Sequence, residues 1–111
     1  METLDSILHQ PLRTQIAAFL AGAGEVTFSD LKRQLDVSDG NLDSHLKKMI
    51  AAGYVVVRKE NNGGRTQSYF ALSSGGQEAL RKYVAALQQV LALGQASDDA
   101  AGSSVAMQPV P

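Results

Sequence analysis

The run SDGNLDSHLKK, residues 38–48, holds the densest set of side chains able to do chemistry. Asn41 and Ser44 can donate and accept hydrogen bonds, His45 offers two ring nitrogens, and Lys47 and Lys48 are cations. These types at this spacing form no catalytic set. The chain has no cysteine, its histidines are His9 and His45 alone, no GxSxG motif occurs, and the carboxylates are scattered. No catalytic residue, metal ligand or cofactor is therefore expected. Gly63-Gly64 lacks the following helix and the Lys-Ser/Thr pair of a phosphate loop. The amides and hydroxyls of residues 38–48 do match the donors and acceptors on base edges, and the lysines match phosphates or a guanine edge. A second basic group, Arg58, Lys59 and Arg65, flanks the turn sequence Asn61-Asn62-Gly63-Gly64. Ser38, Gly40, Asn41, Ser44, His45, Lys47, Lys48, Arg58, Lys59 and Arg65 are the candidate contacts to double-stranded DNA.

Such contacts need a rigid carrier. From Asp39 to Ala52 the apolar residues Leu42, Leu46, Met49 and Ile50 fall on one side at 100° per residue, leaving Gly40, Ser44, Lys47, Lys48 and Ala51 opposite. Ser38 is the expected N-cap and Gly53 the terminator. Asp39 suits the positive end of this helix, and Asp43 can pair with Lys47 one turn on. Before it, Thr27-Phe28-Ser29-Asp30 has capping-box spacing, and Phe28, Leu31 and Leu35 mark one face of a two-turn helix. A first helix is expected from Pro11, suited to a first helical position, to about Ala21, ended by Gly22 and Gly24. Glu25–Thr27 has room for a very short strand. Tyr54–Glu60 and Arg65–Leu72 read as two strands of a hairpin. A last helix, capped by Ser73 or Ser74, carries Leu80, Tyr83, Val84, Leu87, Val90 and Leu91 at coiled-coil spacing. With Leu4 and Leu8 these are the candidate dimer-interface residues.

The 111 residues point to one domain. Residues 1–94 are expected to form a DNA-binding and dimerisation domain. Residues 95–111, QASDDAAGSSVAMQPVP, are small, polar and aperiodic, and are expected to be a disordered tail. The net charge of −1 gives no overall basic field. Asp98 and Asp99 fall in the tail, so residues 1–94 hold ten Lys/Arg against nine Asp/Glu. No apolar run reaches the roughly 20 residues of a membrane span, and no signal peptide is visible. Absence of cysteine fits a reducing compartment, and the expectation is a cytoplasmic protein without a membrane partner.

Two short helices, a basic hairpin and a seamed final helix give the order of a winged helix-turn-helix, an α+β fold that is mainly α, with a two-stranded wing and a C-terminal dimerisation helix. The pieces TFSDL, DGNLDSHLKKM and AAGYV, in this order, resemble the small bacterial winged-helix regulators related to the ArsR and MarR families. The likeness covers nearly all of residues 4–84. It implies a homodimeric transcription factor whose recognition helix is Asp39–Ala52 and whose wing is Arg58–Gln67. Lack of cysteine departs from the ArsR-type metal sensors, so metal sensing does not carry over.

The function expected is a sequence-specific regulator, a repressor because one domain offers little surface to recruit a polymerase. A small-molecule effector, as a runner-up reading, would sit near Leu8, Phe19, Tyr83 and Leu87, residues whose first reading is plain dimer core. The alternative from another class is a winged helix serving as a protein-interaction module without DNA binding, motivated by the net charge and by Asp39 and Asp43.

Overall fold

The computed structural model describes residues 4–102, with side chains described to Gly94. Seven elements follow one another: α1 (Pro11–Ala23), β1 (Val26–Thr27), α2 (Phe28–Leu35), α3 (Asp39–Ala51), β2 (Val55–Asn62), β3 (Arg65–Leu72) and α4 (Ser74–Gly102). The strands form one antiparallel sheet in the order β1-β3-β2. The wing hairpin β2–β3 is thus joined at its base by the two-residue β1, through Val26 opposite Phe70 and Thr27 opposite Tyr69.

Local chemistry sets the helix starts. The Gln10 side chain accepts from the Arg13 N–H at 3.0 Å, with Pro11 at the first helical position where its missing N–H costs nothing. Thr27 and Asp30 close a reciprocal capping box at α2. Ser38 Oγ accepts from the Asn41 N–H at 3.2 Å, and Ser73 Oγ accepts from the Gly76 N–H at 2.9 Å. Ser73 is therefore the cap, and α4 starts at Ser74. At the other ends, α1 runs through Gly22 to Ala23 and stops at Gly24, two residues beyond the Ala21 end expected from the sequence. α4 continues helical past Gly94 to Gly102, so the composition break at Gly94 does not end the helix. The alanines and glutamine that follow are good helix formers. The rest of the expected tail, 103–111, lies outside the described residues.

The core gathers one face of each element. Leu8, Ile16, Leu20, Leu31, Leu42, Leu46, Met49 and Val55 are all fully buried, with Phe70, Leu72 and Tyr83 around them. Burying each large aliphatic contributes about 1.5–3 kcal/mol. Leu42, Leu46 and Met49 are the three buried residues of α3, so α3 is anchored along its length on the side the sequence pattern marks.

Candidate nucleic-acid interface

Anchoring one side of α3 turns the other outward. Ser38, Gly40, Asn41, Ser44, Lys47 and Lys48 are all exposed. His45 is half-buried on the flank between this surface and the core. Two of the outward charges have partners: Lys47 Nζ lies 3.0 Å from Asp43, and Asp39 lies 2.7 Å from Lys32 of α2. These are exposed pairs, each worth about 0–1 kcal/mol, so phosphates can compete for the lysines. Lys48 has no ion-pair partner among the described residues.

The wing is longer than its valine-rich run suggests. β2 extends to Asn62, and the turn is just Gly63-Gly64. Both glycines have positive φ, 60° and 85°, as a tight two-residue hairpin turn demands. That extension moves the tip. Arg65 stands beside the turn opposite Asn62, and Lys59 opposite Ser68. Neither has an ion-pair partner among the described residues.

Arg58, expected near the tip as a DNA contact, sits instead toward the base opposite Tyr69. Its guanidinium donates to both carboxylate oxygens of Glu25, at 3.0 and 2.8 Å, and to Glu60 at 2.7 Å, and lies 4.6 Å from the centroid of the Tyr69 ring. These hydrogen bonds raise the Arg58 pKa and lower that of Glu25. The pairing engages Arg58 with Glu25 and Glu60 and ties the wing to the loop before β1. Glu25 is 33 residues away in sequence, so no local pattern could announce it.

The end of α3 is held with equal care. The Tyr54 N–H donates to the Met49 carbonyl, the Ser73 N–H to the Tyr54 carbonyl, and Ser73 Oγ to the Gly53 carbonyl. Tyr54 Oη donates to Asp5 at 2.5 Å. Burial pushes the Asp5 carboxyl up, but the bonds from Tyr54, Leu8 and Ile7 outweigh it and hold the group below its ordinary value; the same bond raises Tyr54. The reading helix is thus tied both to the N-terminal segment and to the start of α4.

The expected dimer seam divides in two. Leu8 and Tyr83 are 1% and 6% exposed within a single chain, and Tyr83 Oη meets His9 Nδ1 at 2.9 Å. They belong to the core of this chain. Leu4, Leu80 and Leu87 are half-buried against the same core. Val84, Val90 and Leu91 are exposed, as is Leu93. Beyond Leu87, Val90, Leu91 and Leu93 of α4 stand 44%, 59% and 59% exposed among the described residues. Beside the expected effector position, a small cavity of about 210 Å³ is lined by His9, Gln10, Pro11, Thr14 and Tyr83. An open groove of about 840 Å³ lies elsewhere, lined by Leu20, Leu72, Leu80 and Val84 among others.

A capped, core-anchored helix with its polar side outward, beside a hairpin with basic residues toward its tip, is the geometry of a winged helix. A family model described as a winged helix DNA-binding domain matches residues 12–91. The chain belongs to that family. This winged helix is 32% identical over 84 residues to an uncharacterized protein of Methanocaldococcus jannaschii, covering 76% of this chain and 91% of that protein. Its structure is similar to that of a transcriptional regulator homologue from Pyrococcus horikoshii OT3, with TM-score 0.72 and 29% identity over 77% of this chain and 84% of the other. The transcriptional repressor BigR of Xylella fastidiosa shares the fold, with TM-score 0.57 and 21% identity over 75% and 79% of the two chains. Among the described residues, no group of three or more His, Cys, Asp or Glu could hold a metal, and no helix of the winged helix is long and apolar enough to cross a membrane.

Proposed function

We propose that this winged helix is a homodimeric, sequence-specific DNA-binding transcriptional regulator that acts as a repressor. The single observation that carries the reading is the outward presentation of Asn41, Ser44 and Lys48 on a helix whose inner side is locked by Leu42, Leu46 and Met49. A major groove about 12 Å wide admits one such helix. Asn41 and Ser44 then meet base edges, Lys48 meets a phosphate or guanine, and Lys59 and Arg65 bring the wing to the neighbouring backbone. The exposed Val84 and Leu91, one face of α4 with the half-buried Leu80 and Leu87, supply an apolar strip for a second copy of α4. A two-fold dimer reads half-sites about 10–10.5 bp apart centre to centre, or a multiple of that. Occupying a promoter in this way blocks it without a further contact, which favours repression.

Electrostatics set the strength. With Arg58 neutralised, Lys48, Lys59 and Arg65 are the wing and recognition-helix cations with no carboxylate partner among the described residues. A dimer engaging all of them contacts about six phosphates, giving a slope of log K against log salt of roughly −5. One observation favours a second reading, a protein-interaction module: carboxylates Asp39, Asp43, Glu25 and Glu60 interrupt the basic surface. Selection of bound duplexes from random-sequence DNA decides between them. Enrichment of a two-fold symmetric site supports the regulator; recovery of no duplex above background leaves the interaction module.

A further inference from the structure

Among the described residues, two shielded side-chain nitrogens lack a hydrogen-bond partner: Nε of Arg13 and Nδ1 of His45. Arg13 belongs to the first turn of α1 and His45 to the middle of α3, and these helices pack together. The Arg13 charge acts on the His45 ring through space. Atoms removed from bulk water normally find a partner, in the protein or in an ordered water. Two orphans on adjoining helices point to a partner supplied from outside.

The charges nearby say what kind. Lys48 stands one turn beyond His45 on the same flank of α3, exposed and without an ion pair among the described residues, and its charge also acts on the ring. The carboxylates of α3 are engaged elsewhere, Asp39 by Lys32 and Asp43 by Lys47. On β2, which also packs against α3, Arg58 and Glu60 are paired with one another, and Lys59 lies further along the wing. Positive groups converge here with no ion-pair partner for Lys48 among the described residues, beside the surface that holds Asn41 and Ser44.

Resting on the DNA-binding reading above, we propose that Arg13, His45 and Lys48 form a site for a phosphodiester of the DNA backbone, and that DNA binding takes up a proton from solvent at His45. Arg13 is the addition to the contact surface, reached from α1 and not from the reading helix. In the free protein, burial together with the charges of Arg13 and Lys48 holds His45 below its ordinary 6.5. A phosphate against the ring reverses the local field and favours the imidazolium, whose two nitrogens both donate. The bound-state pKa is then above the free-state one. Affinity therefore rises as pH falls through the bound-state value and levels off below the free-state value.

The test uses the full chain and a duplex recovered by selection from random DNA. Fluorescence anisotropy from pH 5.5 to 8 at fixed salt gives the affinity, and NMR titration gives the His45 pKa with and without DNA. For the wild type the expected gain is up to about tenfold per pH unit per subunit on the acid-going limb, with His45 titrating higher in the complex. His45→Gln should still bind, with a flat profile. Arg13→Gln should raise the His45 pKa in the free protein, weaken binding to specific and unrelated duplexes alike, and lower the salt slope by about 0.9 per subunit. Arg13→Lys, which keeps the charge, should restore most of that slope. A wild-type pH profile in His45→Gln, or no rise of the His45 pKa on adding DNA, overturns the site while leaving the regulator reading intact. Inorganic phosphate shifting His45 as far as DNA does, with DNA affinity indifferent to Arg13→Gln, assigns a free anion and overturns the duplex assignment. Failure of the wild type to bind any duplex overturns the regulator reading and this site with it.

Discussion

Two adjacent glycines in the first turn of α4 should respond to alanine in opposite directions. A Cβ built on Gly76 would lie 2.1 Å from the Tyr54 carbonyl oxygen and 2.9 Å from its carbon, where ordinary contact begins near 3.4 Å. The obstacle is backbone, and that carbonyl already accepts from the Ser73 N–H while the Tyr54 N–H holds the end of α3. No side-chain rotation relieves the overlap. Alanine normally stabilises a helical position by about 0.5–1 kcal/mol relative to glycine. Overpacking of this kind costs about 1–3 kcal/mol or more, so Gly76→Ala should be destabilising on balance. At Gly75 the same Cβ meets nothing nearer than 3.6 Å, and Gly75→Ala should keep the helical gain. Urea unfolding followed by circular dichroism, at one fixed protomer concentration, should separate the two variants by the overpacking cost, about 1–3 kcal/mol. Because the strain enters at the end of the reading helix, Gly76→Ala should also bind DNA more weakly than its lost stability alone explains. Equal stabilisation by both substitutions would refute the close approach of α4 to Tyr54 and the coupling built on it.

Lys48→Ala and Arg65→Ala should each lower the salt slope by about 1.8 per dimer, whereas Arg58→Ala should leave it unchanged, because Glu25 and Glu60 already neutralise that guanidinium. A drop with Arg58→Ala equal to that with Arg65→Ala would return Arg58 to the contact surface. Leu91→Asp should leave the single-chain fold intact, since Leu91 is 59% exposed there, and should convert a sedimenting dimer to monomer; a persisting dimer places the interface elsewhere. Asp5 is held below its ordinary 3.8, so it contributes stability that is present above that value and lost as pH falls through the folded-state pKa. Asp5→Asn should therefore flatten the acid end of the stability curve between about pH 5 and 2, and an unaltered curve would show that the Tyr54 bond carries no such linkage.

How far the sequence could be read follows from the range of each interaction. Local periodicity and caps act within a few residues. The Thr27–Asp30 box, the Ser38 cap and the inward set Leu42, Leu46 and Met49 were therefore legible, and with them the outward polar surface of α3. Pairing across the fold was not. Arg58 looked like any wing arginine until Glu25 of a distant loop appeared beside it. The same limit governs α4: a heptad pattern reports that Tyr83 and Leu91 seek cover, but not whether the cover comes from the same chain or another. The short strand at Glu25–Thr27 was legible, but its pairing with β3 was not, and the exact position of the wing turn depends on register, which Asn61-Asn62-Gly63-Gly64 alone leaves open by two residues. Arg13 gave no signal at all, being one cation in an ordinary amphipathic turn.

The central claim is that the polar side of α3 and the tip of the wing are where DNA lies. Backbone amide NMR during titration of the full chain with a selected duplex tests it most directly. The account predicts shifts concentrated on residues 38–48 and 59–66, with the groove between α1 and α4 little changed. Shifts centred on that groove or along the exposed strip of α4, with residues 38–48 silent, would contradict it.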